Sequence, residues 1–301
     1  MPVDPSQSSE LDPSEHPGSR TQRRRRRRQV TRLTIVAVAA ALVVGLLLAP
    51  VVRNLVWGSG GSANTPVAMS SSQAASLFAG TPAASFAIGD AGIQLPAAQQ
   101  QGSYSAADVG TATQLTKQTL VAARLDPAML QRGDLSGYLA KLAPSLQPMV
   151  TSAVQKGGGA LSYVTRLAPT AKLAVDEIRV SGTMSVSVGS DGQLVISANY
   201  TWVYPLDRAG GKPKGSPPLG SNLVIVHTVE TYEWYQQAKV AATERGLRTG
   251  GGNSYAYNKD CNQFGRGYLA LAPLAADGHA DAPAAKAYDP KTDPNTLPGP
   301  C

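Results

Sequence analysis

Arg23, Arg24, Arg25, Arg26, Arg27 and Arg28 stand just ahead of an apolar run, LTIVAVAAALVVGLLLAPVV at residues 33–52, that carries no charge. A helix needs about 20 residues to cross a hydrocarbon core of about 30 Å. The run has no polar face, which argues against a buried helix of a soluble domain. Only Arg53 follows it closely, and an excess of arginine on one flank puts that flank in the cytoplasm. Residues 33–53 are therefore expected to form a transmembrane helix, with 1–32 in the cytoplasm and the bulk of the chain extracytoplasmic. The rival reading is a cleavable signal peptide, with Ser62-Ala63 as a small-residue cleavage site. Such peptides have apolar cores of about 7–15 residues, shorter than this one, so a retained anchor is favoured.

The net charge of +7 divides unevenly along the chain. Residues 1–53 contain nine Lys and Arg against four Asp and Glu, whereas the remaining residues contain eighteen against sixteen. The basic balance thus belongs mainly to the N-terminal tail, where clustered Arg is drawn to anionic headgroups at about 1 kcal/mol per residue. The six arginines read as membrane-surface contacts. No folded reader of nucleic acid accompanies them, so a nucleic-acid partner is not expected.

Cys261 and Cys301 are the two cysteines of the chain, and both follow the span. Thiols in an oxidising compartment tend to pair, and a loop of about 40 residues closed by a bridge is worth roughly 4 kcal/mol in the chain-entropy picture. An intramolecular bridge is the favoured reading, and an intermolecular bridge or free thiols the alternatives.

Composition and periodicity divide what remains. Residues 1–32 are polar and Pro-rich, which predicts disorder. Residues 54–104 are rich in Gly, Ser, Ala and Gln and read as a flexible stalk, although the more apolar stretch 76–95 is compatible with an arm packed on the domain. Ser105 with Asp108 makes a capping-box-like start, and Val109, Ala112, Leu115, Thr119 and Ala122 then follow at helical spacing. Asp126-Pro127, Asp134 and Ser145 open three further helical stretches, the last ended by Gly157-Gly158-Gly159. The period then changes to two. Residues 178–188 and 194–204 alternate on either side of Gly189-Ser190-Asp191-Gly192, which predicts a hairpin. Residues 223–235 form a third strand, buried on both faces at its start. Residues 239–259 hold a bent fourth strand broken at Gly250, Gly251 and Gly252. Residues 270–301 lack periodicity and read as a low-complexity tail held by the disulfide. Helices followed by an antiparallel meander make an α+β domain over 105–269.

An anchor, a stalk, helices and three or four long strands, in that order, resemble the NTF2-like (cystatin-like) fold of helices on a curved antiparallel sheet. More narrowly, the order over about residues 105–260 is similar to the extracytoplasmic domains of VirB8-type and TcpC-type proteins of secretion and conjugation systems, and the Ala, Gly and Arg richness resembles anchored actinobacterial proteins of unknown function. The resemblance is one of element order. It implies a docking or scaffold role among other cell-envelope proteins rather than catalysis.

Candidate chemistry is sparse. Of three histidines, His227 alone falls in a predicted strand, on the face of Leu223, Ile225 and Val229. A buried histidine with one hydrogen-bond partner is its ordinary reading. The sharper one is a general base drawing on Glu230, Glu233, Asp176 or Glu177, although Glu230 and Glu233 lie on opposite strand faces. Tyr200, Trp202 and Tyr204 form a stripe that reads first as core. Tyr200, Trp202, His227 and Trp234 are nonetheless the candidate lining of a ligand pocket for a small apolar or cell-wall molecule. Arg208, Lys212 and Lys214 sit in a polar loop at 207–222. No motif for a nucleophile, a metal site or a phosphate loop is present, so neither enzymatic activity nor a cofactor is expected.

Overall fold

In the computed structural model, residues 71–208 and 211–297 are described, and they fall in a compact unit spanning 67–301. The expected span at 33–53, the six arginines and Cys301 lie outside the described residues. Among those described, no helix is long and apolar enough to cross a membrane.

Local chemistry places the helices. Helix α1 covers Ser71–Phe78, and α2 covers Ala106–Arg124. The Ser105 hydroxyl accepts from the Asp108 amide at 3.2 Å, and the Asp108 carboxylate accepts from the Ser105 amide at 3.0 Å. This reciprocal pair satisfies two amides that the first turn leaves open. Thr113, Thr116 and Thr119 are buried along α2 because each hydroxyl donates to the carbonyl four residues back, at 2.8–2.9 Å. Asp126 caps α3 (Pro127–Arg132) by accepting from the Ala128 amide at 2.6 Å, and Gly133 ends it in a left-handed conformation with φ 65°. Asp134 accepts from the Ser136 amide at the start of α4 (Ser136–Leu139). Helix α5 (Gln147–Lys156) carries Pro148 in its first turn, where a missing amide costs nothing. A short α6 covers Cys261–Gly265.

The sheet is a simple antiparallel meander of five strands in the order β1-β2-β3-β4-β5. These are β1 (Ala87–Ile88), β2 (Arg179–Val188), β3 (Leu194–Pro205), β4 (Leu223–Trp234) and β5 (Arg248–Tyr257). The mixed helix-and-sheet class and the hairpin agree with the expectation. The strand count does not: three or four were expected, and the fifth, β1, is a two-residue strand supplied by the N-terminal arm against Arg179 and Val180. The bend foreseen at the glycines of β5 is a register shift opposite Thr231 and Tyr232.

Alternation gives the sheet two faces. One face carries Ile196, Ala198, Tyr200, Trp202, Tyr204, Val226 and Trp234 and packs with Leu120, Ala123 and Leu130 of the helices into the main core. The opposite face carries Val203, Leu223 and Ile225 and packs with Phe78 and Tyr288 into a second cluster. Leu223, Val224, Ile225 and Val226 are each 0% exposed because β4 begins between these two clusters.

Side chains buried in the two clusters bear on two of the expected domain boundaries. The stalk expected at 54–104 is, over its described part, an arm docked on the sheet: Phe78 and Ile93 are 1% exposed, and Tyr104 donates to the Gly192 carbonyl at 2.8 Å. A few large apolar residues spaced along a Gly, Ser and Ala background suffice to hold it. Likewise the described part of the expected 270–301 tail is seated by its own side chains, with Ala287 0% and Tyr288 2% exposed.

Candidate functional site

The four residues expected to line one pocket are not brought together. In the antiparallel register Trp202 faces Val226, whereas His227 faces Thr201. His227 therefore projects from the face opposite Tyr200, Trp202 and Trp234. Alternation along β4 had already put His227 with Leu223 and Ile225; what it lacks is the cross-strand register that decides which residues of β3 share that side. Trp202 and Trp234 do share a face, but the partner of Trp202 on β4, Val226, is eight positions from Trp234, about 26 Å at strand rise. Trp234 packs on Tyr104 at the far end, ring centroids 5.9 Å apart, and Tyr200 packs on Trp202 at 5.7 Å. Tyr200, Trp202 and Tyr204 are 0% exposed. Side chains fill the space that the pocket reading assigned to a ligand.

The helix side of the sheet holds a polar centre that sequence reasoning missed. The Arg124 guanidinium, at the last turn of α2, donates to the Glu230 carboxylate at 2.8 Å and to the Thr165 hydroxyl at 3.1 Å. The Tyr232 hydroxyl donates to the other oxygen of Glu230 at 2.5 Å. The Tyr204 hydroxyl donates to the Arg124 carbonyl at 3.0 Å. Burial works against the charge of Arg124, and the Glu230 carboxylate together with the Tyr204 and Tyr232 hydroxyls more than offsets this, so its pKa is raised. Burial also pushes the Tyr204 hydroxyl up to about 12, and Tyr232 well above the usual tyrosine range. An isolated buried charge is prohibitive, but a paired and hydrogen-bonded one is tolerated. The sequence signal was present only as an arginine and a glutamate at core-facing positions of α2 and β4.

His227 is fully buried on the opposite face. Its Nε2 lies 2.8 Å from the Asn199 amide oxygen, which requires that nitrogen to carry the proton. Nδ1 has no hydrogen-bond partner. Burial lowers the ring's pKa, against the opposing pull of the Pro290 backbone and the Asp289 and Asp293 carboxylates. Of the four carboxylates considered as its catalytic partners, Asp176 is exposed and the other three are engaged elsewhere. Glu230 is tied to Arg124, Glu177 pairs with Arg179 at 3.1 Å, and the Gln193 amide donates to Glu233 at 3.3 Å. His227 is a buried neutral histidine with one partner, the ordinary reading.

In the polar loop, Arg208 is not simply solvated: its guanidinium donates to the Ala272 and Ser221 carbonyls, both at 2.8 Å. Lys212 is exposed. The outer face of β2–β4 exposes a patch of uncharged polar side chains. Ser185, Ser197 and Thr231 stand in one row across the strands, and Thr183, Asn199 and Val229 in the next. Ser185, Ser197 and Thr183 are exposed, and Thr231, Asn199 and Val229 half-buried. Neither row contains a charged side chain. No protein-family model matches the chain, and no significant match is found among curated proteins or solved structures.

Proposed function

We propose that this chain is a single-pass membrane protein whose extracytoplasmic, NTF2-like domain acts without catalysis, as a docking or scaffold subunit of a cell-envelope or secretion/conjugation-type assembly. The observation that supports this reading is the contrast between the two faces of the sheet. The helix side is packed solid around Trp202 and the Arg124–Glu230 pair. The outer side leaves the rows of Ser185, Ser197 and Thr183 open to solvent. A filled core with an open, hydrogen-bonding face suits contact with a surface better than enclosure of a small molecule.

The apolar run at 33–52 supplies the anchor, and confinement to a membrane turns the search for partners into a two-dimensional one. The alternative, a ligand-binding module with an aromatic cavity, loses its support because Tyr200 and Trp202 are core. Deletion of residues 33–52 tests the docking reading. Function, assayed by complementation of a null strain, is lost while the domain still folds; full rescue by the soluble domain would overturn it.

A further inference from the structure

We propose that residues 284–297 form an acid-releasable strap, seated over His227 on the outer face of the sheet near neutral pH and lifting from it as the pH falls. This rests on the packing of the domain alone and does not depend on the docking reading.

The seat is apolar. Ala287 and Tyr288 fill the second cluster against Phe78, Val203, Leu223 and Ile225. Tyr288 also reaches Thr81 of the N-terminal arm through its hydroxyl. The attachment is made by side chains. The described backbone hydrogen bonds of 284–297 close turns inside the segment: Ala287 to Ala284, Asp289 to Lys286, Thr292 to Asp289 and Thr296 to Asp293. A segment held by a few buried side chains, without a strand ladder, opens at a free energy well below that of global unfolding.

His227 lies beneath this segment and is the group that makes the seat sensitive to acid. Its neutral ring uses Nε2–H for Asn199 and leaves Nδ1 without a hydrogen-bond partner, with the Pro290 backbone near enough to favour a charged ring. A proton on Nδ1 puts a charge into a site from which water is excluded. The groups facing the ring are few. The strap brings the Pro290 backbone and the Asp289 and Asp293 carboxylates, which favour the charged ring in that order but together do not outweigh its burial. Strand β3 brings Asn199 and Thr201, and β5 brings Tyr255, all uncharged. Arg179, paired with Glu177, stacks on Phe78 one row along the sheet.

The sign follows from linkage. Burial under the strap holds the ring's pKa below its ordinary value despite the opposing pull of the strap's own groups; on this proposal release returns the ring to water and to that value, so the docked state binds fewer protons. Its stability is full above the ordinary histidine pKa of about 6.5 and declines as the pH falls below it. Release costs the seat of Tyr288 and uncovers Ile225 and Phe78.

The test is amide hydrogen exchange on the full chain in a mild detergent, at about pH 7.5 and about pH 5, each corrected for the intrinsic exchange rate. Protection of 284–297 is expected to fall about tenfold or more at the lower pH, while β3 keeps its protection. In His227→Gln, which retains a donor for Asn199 but cannot take up the proton, protection of the segment is expected to be the same at both values. Equal protection at both pH values in the wild type overturns the proposal. So does a His227→Gln chain that loses protection as the wild type does, because the carboxylates would then be responsible. Should that variant not fold, the ring titration of His227 by NMR in the wild type replaces it. The midpoint of strap opening must coincide with that titration, and a separate midpoint overturns the proposal.

Discussion

The Arg124 guanidinium donates to the Glu230 carboxylate at 2.8 Å across 106 residues of sequence, with the arginine side chain 0% and the glutamate 6% exposed. This pair joins the end of α2 to β4. Removing one partner strands the other charge in the core, and such losses typically cost about 3–5 kcal/mol. Arg124→Met is expected to destabilise the domain by that amount in chemical denaturation. Arg124→Met combined with Glu230→Met is expected to recover most of it, since apolar groups of similar volume replace a buried pair at little cost. A double variant no more stable than the single would show that the neighbouring Thr165 and Tyr232 hydroxyls, not the charge, set the penalty.

Trp202 is buried at 0% exposure, and its indole nitrogen donates to the Thr228 hydroxyl at 3.1 Å. As a core residue, Trp202→Ala is expected to cost about 3–5 kcal/mol, and Thr228→Val about 1 kcal/mol or somewhat more through the orphaned indole donor. Equilibrium unfolding followed by circular dichroism checks both. A Trp202→Ala chain of unchanged stability would restore the idea of a spacious aromatic cavity.

The contrast between these two sites shows what the sequence makes legible. Ser105 and Asp108 are three residues apart, so their reciprocal cap is written in local order. The hairpin of β2 and β3 is equally local, and the alternation of Tyr200, Trp202 and Tyr204 marks them as one face. The partnership of Arg124 with Glu230 depends on where α2 crosses the sheet, which no local period encodes. The place of His227 shows the same limit: alternation assigns its face along β4, but the choice of facing residues on β3 depends on register. The arm at Phe78 was legible only as an alternative to a stalk, and the strap at Tyr288 not at all, for a different reason. Each is seated by one or two large side chains within a Gly-, Ala- and Pro-rich stretch, and such composition resembles a linker.

Gly182 pairs with Tyr200 in the register of β2 and β3, and a Cβ at that position would run into the Asn199 carbonyl oxygen and the Tyr200 ring. Neither obstacle is the free end of a flexible chain. Gly182→Ala is therefore expected to destabilise by about 1–3 kcal/mol, the usual cost of overpacking, despite the higher strand propensity of alanine. Thermal denaturation measures this directly; a neutral or raised midpoint would mean that β2 shifts freely at its edge.

Cys261 begins α6, and its proposed partner Cys301 lies beyond the described residues. An intramolecular bridge predicts that the purified full chain resists alkylation until it is reduced and migrates as a single chain without reductant. It also predicts a loss of about 4 kcal/mol on reduction. Ready alkylation of both thiols, or a reductant-sensitive dimer, would contradict it.

The most direct test of the docking account places a photoreactive side chain at Ser185 or Ser197, on the open sheet face, and at Gln118, exposed on α2, in the full-length chain in living cells. The account predicts adducts to defined envelope proteins from Ser185 and Ser197, none from Gln118, and loss of these adducts when residues 33–52 are deleted. Adducts of equal yield from Gln118, or adducts that survive deletion of the apolar run, would contradict it.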